Sequence, residues 1–357
     1  MSKVIRIISA SVMLTVLSAI ILAGCGNRHS DKAGLNKSDI TETLSQTLES
    51  EKDSQMNSRS EENTDTEITD TEAEDSGQVD SEDGSQEETS NPYIIVREPY
   101  TGVPVYEDME HIYMNTTWEY ADHSAISDGY AVLYKAAGER KNIIIGVNAG
   151  HGTAGGSSVR TLCHPDGSPK STGGSTAAGA TTATAVSGGM TFYDGTPESE
   201  VTFRMAQILR DRLLSQRYDV LMVRDDADVQ LDNVARTVIC NNVADCHISL
   251  HWDGDGLSYD KGCFYIAVPD AIKDMEPVAT HWQQHNALGA SLVNWLGDVG
   301  MKIHGSGSMA IDLTQTSYST IPSVDMELGN ASSDHSDETL ENIADGLMAG
   351  INAYYGY

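Results

Sequence analysis

The chain has 357 residues and a formal net charge of −31, with 39% hydrophobic and 6% aromatic residues. This length allows one large domain or two ordinary ones. The acidic balance argues against a nucleic acid as partner, because residues 91–357 alone still carry a net charge of −19.

Residues 1–24 have the pattern of an export signal. Lys3 and Arg6 precede an apolar run of about 15 residues, which is too short for an ordinary membrane span. The run ends in LAGC at residues 22–25, which resembles the lipobox of bacterial lipoproteins. That resemblance implies a lipoprotein signal peptide, lipidation of Cys25 and anchoring to the outer face of the cytoplasmic membrane or facing the periplasm. A plain cleaved signal with a chance cysteine is the alternative.

Residues 25–91 form an acidic segment rich in Ser, Thr, Glu and Asp. Within it, residues 31–90 contain no Phe, Trp or Tyr, and acidic side chains outnumber basic ones 19 to 4. Low hydrophobicity and high charge predict a disordered linker, because such a chain cannot bury enough apolar surface to order itself. As a flexible tether it would reach roughly 45 Å from a membrane anchor.

The remaining chain is predicted to contain an N-terminal extension, residues 92–141, and a single α/β domain, residues 142–357. In the domain, apolar strands alternate with amphipathic helices, which indicates a mostly parallel or mixed central sheet flanked by helices. The predicted strands are NIIIGV (142–147), DVLMVR (219–224), CHISL (246–250), CFYIAV (263–268) and SVDMEL (323–328). Helices are predicted after Pro197, over residues 232–242, through residues 288–299 and through residues 340–351.

A Gly/Ala/Ser/Thr-rich segment, residues 171–190, interrupts this alternation. It lies in the long gap between His151 and Glu198, and a loop of such length is usually either functional or disordered. Two interpretations stay open for this flexible insertion. It is either a flap over a site beside His151 or a tolerated surface insertion.

Four side chains suited to metal and proton chemistry are expected at one rim of the sheet. His151 and His251 each follow a strand, Glu327 lies at the end of the last strand, and Glu198 opens the first helix. Ligands of open α/β sheets bind at the carboxyl ends of strands. Two histidines and one carboxylate are a ligand set of hydrolytic Zn2+, and a second carboxylate can transfer the proton of the attacking water.

Four segments, taken in order, resemble the zinc-dependent N-acetylmuramoyl-L-alanine amidases of the amidase type 3 family, which are bacterial cell-wall hydrolases. They are NIIIGVNAGHGTAGG, ESEVTFRMAQILRDRLLSQRYDVLMVRDD, VARTVICNNVADCHISLHWDG and PSVDMELGN, within residues 142–355. The resemblance implies that His151, Glu198 and His251 bind zinc and that Glu327 is the catalytic carboxylate. Glu200 is the alternative to Glu198 as ligand.

By the same resemblance, peptidoglycan would be the substrate, cleaved by zinc-activated water at the amide between N-acetylmuramic acid and L-alanine. The chain departs from the family at Asn148-Ala149, where members have Asp-Pro, at Trp252-Asp253, where they have Ala-Asn, and at residues 328–332. These differences concern the rim of the site. Two other functions stay open: a catalytically inactive peptidoglycan-binding module, and a zinc peptidase acting within the stem peptide.

Other histidines receive structural interpretations. HWQQH, residues 281–285, has the i, i+4 spacing of a helical zinc pair, but glutamine occupies the place of the base. The sequence therefore predicts a solvated helix face there. His247 is predicted to be packed or hydrogen-bonded at the buried start of its strand. His164 and His304 lie in polar loops without a partner pattern.

The remaining polar candidates indicate no separate site. Arg224 and Arg236 are interpreted as surface salt bridges or other structural residues, and Asp312 is placed near the border of the cleft. The spacing of the aspartates at 253, 255 and 260 fits no EF-hand loop. No CxxC pair occurs, which argues against a cysteine zinc site and leaves the disulfide state open for Cys163, Cys240, Cys246 and Cys263.

Overall fold

The computed structural model describes residues 106–357. The predicted signal peptide, the lipidation predicted at Cys25 and the acidic linker predicted over residues 25–91 therefore lie outside the described residues. Within residues 106–357, none of the helices is long and apolar enough to span a bilayer.

The described residues form ten strands and five α-helices. The strands are β1 (Tyr106–Tyr113), β2 (Tyr130–Ala136), β3 (Ile144–Ala149), β4 (Arg160–Leu162), β5 (Thr182–Thr184), β6 (Asp219–Met222), β7 (Cys246–Asp253), β8 (Cys263–Ala267), β9 (Ile303–Ala310) and β10 (Ser323–Asn330). The helices are α1 (Glu198–Ser215), α2 (Asn233–Val243), α3 (Val278–Asp298), α4 (Thr314–Tyr318) and α5 (Asp337–Tyr355).

Eight of the strands form one sheet in the order β1-β2-β6-β3-β7-β10-β8-β9. The central strands β6, β3, β7 and β10 run parallel, and so do β8 and β9. Antiparallel pairs join β1 to β2, β2 to β6 and β8 to β10. The predicted single α/β domain with a mixed, mostly parallel sheet is confirmed.

The five strands predicted from residue 142 onward are present, and two more strands precede them. Residues 106–136, within the region predicted as an N-terminal extension, supply β1 and β2 at one edge of the same sheet. The sheet thus continues across the predicted boundary at residue 142. Part of the predicted insertion also has regular structure, because β5 pairs with β4 in a small separate hairpin.

Helices cover both faces of the sheet. The helices α1, α3 and α5 contribute to the large core, and α2 packs on the other face against residues such as Leu221. On α1, Val201, Met205 and Leu209 recur at four-residue intervals and are buried, as expected for the core-facing stripe of a helix. Burial of each such side chain contributes about 1.5–3 kcal/mol.

Successive side chains along the strands point to these two faces in turn, and this alternation places polar residues at the site. On β10, Val324 and Met326 are in the large core. Because successive side chains of a strand point to opposite faces, Asp325 and Glu327 project from the face that α2 covers. The central strands are therefore apolar on one face and polar on the other near their carboxyl ends.

Candidate functional site

The strand register brings the polar residues of β10 beside those of β7. Glu327 is paired in register with His251, and Asp325 with Ser249. His251 lies inside β7 and not past its end, because β7 continues three residues beyond the predicted strand. His151 follows β3 directly. The carboxyl ends of three parallel strands thus meet at one rim.

Three side chains at this rim converge on one point. Oε1 of Glu198 lies 2.8 Å from Nε2 of His151 and 3.1 Å from Nδ1 of His251, and these two nitrogens are 3.1 Å apart. The three donor atoms lie within 4.8 Å of one another and could hold a metal ion. Two imidazoles and one carboxylate are a donor set that suits Zn2+.

Glu198 is well placed for this role, whereas Glu200 is exposed on the same helix. The backbone amides of Met190 and Trp252 donate hydrogen bonds to the Glu198 carboxylate, at 2.8 and 3.0 Å. Burial alone would raise the pKa of Glu198, but the hydrogen bonds from His151 and His251 outweigh it and lower the pKa below its usual range. Glu198 is therefore held as a carboxylate.

Each histidine of the cluster also has a partner on its outer nitrogen. Nδ1 of His151 lies 2.9 Å from the carbonyl oxygen of Ser187, so it is suited to donate its proton there. Nε2 of His251 lies 3.8 Å from Oδ2 of Asp325. Such outer partners fix the ring orientation and tautomer of a metal-binding histidine.

Asp325, which is buried, and Glu327, which is half-buried, lie beside the cluster. Oε2 of Glu327 and Oδ1 of Asp325 have no hydrogen-bond partner among the described residues. Burial, followed by the neighbouring Asp325, raises the pKa of Glu327 well above its usual value. Burial likewise raises the pKa of Asp325. Burial and mutual repulsion thus favour protonation of this pair of carboxyls relative to free side chains.

Two buried arginines shape the loop that carries His151. Arg236 donates to the carbonyl oxygens of Ala149 and His151, at 3.1 and 2.6 Å, and Arg224 donates to that of Gly150, at 3.0 Å. The expectation of surface salt bridges is wrong for both, because each guanidinium is buried and its hydrogens are used by main-chain carbonyls. A structural role is correct.

The arginines hold an unusual backbone conformation. His151 has φ 66°, in the left-handed region that a non-glycine residue rarely adopts. Asn148 accepts from Arg236 at 3.1 Å and donates to Ser249 at 2.8 Å. Asn148 thus joins β3 to β7 beneath the His151 loop.

Two glycines leave room for the cluster. A Cβ atom on Gly150 would lie 2.3 Å from Cε1 of His251. A Cβ atom on Gly189, which has φ +81°, would lie 2.8 Å from Cδ2 of His151. A larger residue at either position would displace a histidine of the cluster.

A cavity of about 650 Å³ opens over the cluster. The cluster residues, Asp325 and Glu327 line it, together with residues 174–176, 183–184 and 186–190 from the predicted insertion. Of the two interpretations of the insertion, the structure favours the functional one, because the segment forms a wall of the cavity and contacts Glu198 and His151.

Other histidines differ from their expected surroundings. His285 is buried and its Nδ1 accepts from the amide of Ser323 at 2.9 Å, so the prediction of a solvated helix face is wrong there, because α3 turns this position toward β10. His164 is also buried, and its Nε2 lies 2.8 Å from Oδ1 of Asp312. This partner is 148 residues away, beyond the reach of a local pattern. His247 is buried, as predicted.

Among the remaining polar groups, the aspartates at 253 and 255 face Lys261, whose ammonium group pairs with both. This lysine supplies the positive charge that a cation would supply there. In the described residues, the cysteines are free and buried. They are Cys163, Cys240, Cys246 and Cys263.

The family model described as N-acetylmuramoyl-L-alanine amidase (Amidase_3) matches residues 145–352. Among solved structures, the N-acetylmuramyl-L-alanine amidase Ami1 from Mycobacterium smegmatis has a TM-score of 0.51 at 19% identity, covering 61% of this chain and 99% of that one. Ami1 from Mycobacterium abscessus has a TM-score of 0.48 at 22% identity, covering 60% and 99%. These likenesses concern the fold. No curated protein sequence matches the chain.

Proposed function

Because the chain belongs to the Amidase_3 family of N-acetylmuramoyl-L-alanine amidases, we propose that it is a zinc-dependent peptidoglycan hydrolase. The bond cleaved is the amide between the lactyl group of N-acetylmuramic acid and L-alanine of the stem peptide. The observation that carries this proposal is the convergence of His151, Glu198 and His251 within 4.8 Å, beside the half-buried Glu327.

The donor set fits zinc. His151, Glu198 and His251 would hold the ion with three protein ligands, as in catalytic rather than structural zinc sites. When bound there, zinc would polarise the amide carbonyl and make water a competent nucleophile near neutral pH. The partners of the outer nitrogens, Ser187 and Asp325, orient the two imidazoles.

Glu327 is proposed as the catalytic carboxylate. It is paired in register with His251, and its Oε2 has no partner among the described residues. As a base it takes a proton from the attacking water, and as an acid it delivers that proton to the amide nitrogen while the C–N bond breaks. Burial and the neighbouring Asp325, which raise the pKa of Glu327, strengthen it as the proton acceptor in this exchange.

We also propose an extracytoplasmic location. The predicted signal peptide and lipidation at Cys25 would anchor the chain to the outer face of the membrane, and the acidic linker would let the catalytic domain reach the nearby wall. A serine in place of Cys25 tests the anchor. The variant should be released from the membrane fraction, and retention there would contradict lipidation.

Digestion of purified peptidoglycan followed by mass analysis tests the reaction. Intact stem peptides with a newly free L-alanine amine support the amidase. Shortened stems or released D-alanine would instead indicate a zinc peptidase. Binding without any product would indicate an inactive peptidoglycan-binding module.

Metal analysis tests the zinc site separately. Active protein should contain about one zinc per chain, and chelation should abolish activity and lower the melting temperature until zinc is restored. Full activity with less than about half an equivalent of zinc would contradict a metal mechanism.

A further inference from the structure

The side of the cavity formed by the insertion contains a buried lysine that the proposed mechanism does not use. Lys170 lines the same cavity as the metal-binding cluster, and only 7% of the residue is exposed. Its backbone is held on both sides, because its amide donates to Ala180 at 2.9 Å and its carbonyl accepts from Gly179 at 2.8 Å. The ammonium group is therefore kept at a defined place in the cavity wall.

Among the described residues, no carboxylate lies within ion-pair distance of this ammonium group, although its charge helps to lower the pKa of the nearby Asp312. Its one hydrogen-bond partner among the described residues is the main-chain carbonyl of Asp312. The Asp312 carboxylate is occupied by other donors, namely Nε2 of His164 at 2.8 Å and the amide and hydroxyl of Ser171 at 2.7 and 3.0 Å. An ammonium group has three donors, so two of them remain available to a ligand.

The other cation lining the cavity cannot take this role. Arg236 also borders the cavity, but its three nitrogens donate to carbonyls and side chains of the His151 loop and its surroundings. Five acidic residues line the cavity, and three of them, Glu198, Asp325 and Glu327, belong to the catalytic cluster. The other two already have partners, since Asp253 pairs with Lys261 and Asp312 accepts from His164 and Ser171. Lys170 is thus the cavity's available positive charge among the described residues.

A buried cation without a paired anion is costly, and an incoming anion that pairs with it is bound with a charge-assisted hydrogen bond. The scissile amide and its sugar ring are uncharged around the reacting atoms, whereas stem peptides have carboxylates beyond L-alanine. We propose that Lys170 binds a carboxylate of the stem peptide and thereby determines which stems are cleaved efficiently. This inference rests on the proposed amidase function.

On a dipeptide probe the carboxylate is either the α-carboxylate of the second residue, which stays free in longer stems, or its γ-carboxylate, which is joined to the next residue in longer stems. Synthetic probes distinguish the two. N-acetylmuramoyl-L-alanyl-D-isoglutamate has both carboxylates. Its α-amide lacks the first, its γ-amide lacks the second, and the diamide lacks both. We expect kcat/KM of the zinc-loaded enzyme to fall about ten- to hundredfold, mainly through KM, when the recognised carboxylate is amidated.

The variant Lys170→Met should cleave the diacid and the diamide with nearly equal kcat/KM. Lys273→Met is the matched control, since Lys273 pairs with exposed Asp270 outside the cavity, and it should keep the wild-type ratio. Zinc content and the melting temperature of each variant are measured alongside. If Lys170→Met does not fold, Lys170→Gln replaces it.

A wild-type enzyme that cleaves the diacid and the diamide equally well would overturn the inference while leaving the amidase function intact. A persistent preference in the folded Lys170→Met or Lys170→Gln variant would overturn it as well, and would leave Lys170 as a structural link to Asp312. Failure of the wild-type enzyme to cleave any probe, together with whole peptidoglycan, would contradict the proposed function itself.

Discussion

At the scale of single residues, the site depends on two carboxyls that share one face of β10. Asp325 is buried and Glu327 is half-buried, and both have a raised pKa. Asp325 lies near the outer nitrogen of His251, whereas Glu327 is paired with that histidine across the strands. The two acids are therefore expected to differ in function, Asp325 orienting a ligand and Glu327 transferring a proton.

Replacing Glu327 with glutamine tests this division. We expect Glu327→Gln to retain zinc and to lose turnover by roughly two to four orders of magnitude, because the amide cannot transfer the proton. Zinc content and kcat are measured on the same preparation. If zinc is lost together with activity, Glu327 is a ligand and not the proton carrier.

Gly150 offers a second test at this scale. We expect Gly150→Ala to push the ring of His251 out of place, since the added Cβ would lie 2.3 Å from it, and to weaken zinc affinity by about ten- to hundredfold. A competition titration with a chelator measures this affinity. Gly173→Ala, where the nearest atom would be 4.0 Å away, should bind zinc like the wild type.

At the scale of elements, helix α2 positions the His151 loop through Arg236. We expect Arg236→Met to lower the free energy of unfolding by about 2–4 kcal/mol, because several buried carbonyl oxygens lose their donor. Urea denaturation of the zinc-loaded protein measures the change. Arg204→Met, which removes a partly exposed ion pair with Asp337, should cost less than about 1 kcal/mol. Equal losses would show that Arg236 contributes only as a surface charge would.

The sequence contained enough information for the central elements but not for the edges. Strands such as SVDMEL are recognisable because a buried strand is rich in apolar residues, and the helices because their apolar residues recur at helical spacing. Strand β9, IHGSGSMA, is rich in glycine and serine and is specified by its pairing with β8. Strand β1 is almost wholly exposed, so it shows no buried face that a pattern could reveal.

The three cluster residues beside the strands were also predictable from the sequence, but the buried residues that hold them in place were not. His151 lies just after β3, and His251 and Glu327 lie near the carboxyl ends of β7 and β10, which meet in a parallel sheet. By contrast, Asp312 meets His164, and Arg236 meets the His151 loop, through contacts between residues far apart in the chain. Burial of a charged residue by such contacts leaves no local signal, so Lys170 and Arg236 were not identifiable as site residues from the sequence.

At the scale of the whole molecule, two histidines make the core sensitive to acid. Burial lowers the pKa of both His247 and His285 to about 3. Both remain neutral in the folded protein, whereas the unfolded chain takes up their protons below about pH 6.5. Their contribution to stability is therefore complete above this pH and is lost as the pH falls toward 3, by about 1.4 kcal/mol per pH unit for each histidine.

The variant His247→Gln removes the contribution of one of these two histidines to the pH dependence of stability. Between about pH 6 and 4.5, its free energy of unfolding should depend on pH less steeply than that of the wild type, by about 1.4 kcal/mol per unit. Denaturant titrations at a series of pH values provide the slopes. His111→Gln, at an exposed position of β1, should leave the wild-type slope unchanged, and the same slope in His247→Gln would mean that His247 is not kept neutral by the fold.

The contacts of Ser187 and Met190 with the proposed metal ligands His151 and Glu198 would join metal binding to the conformation of the insertion. An ion that holds the two ligands together also favours the arrangement of the segment that contacts them, and that segment is a wall of the substrate cavity. By thermodynamic linkage, a change that disturbs this wall should weaken metal binding, and removal of the metal should loosen the wall. The cavity would then have the shape that recognises substrate only when the metal is bound.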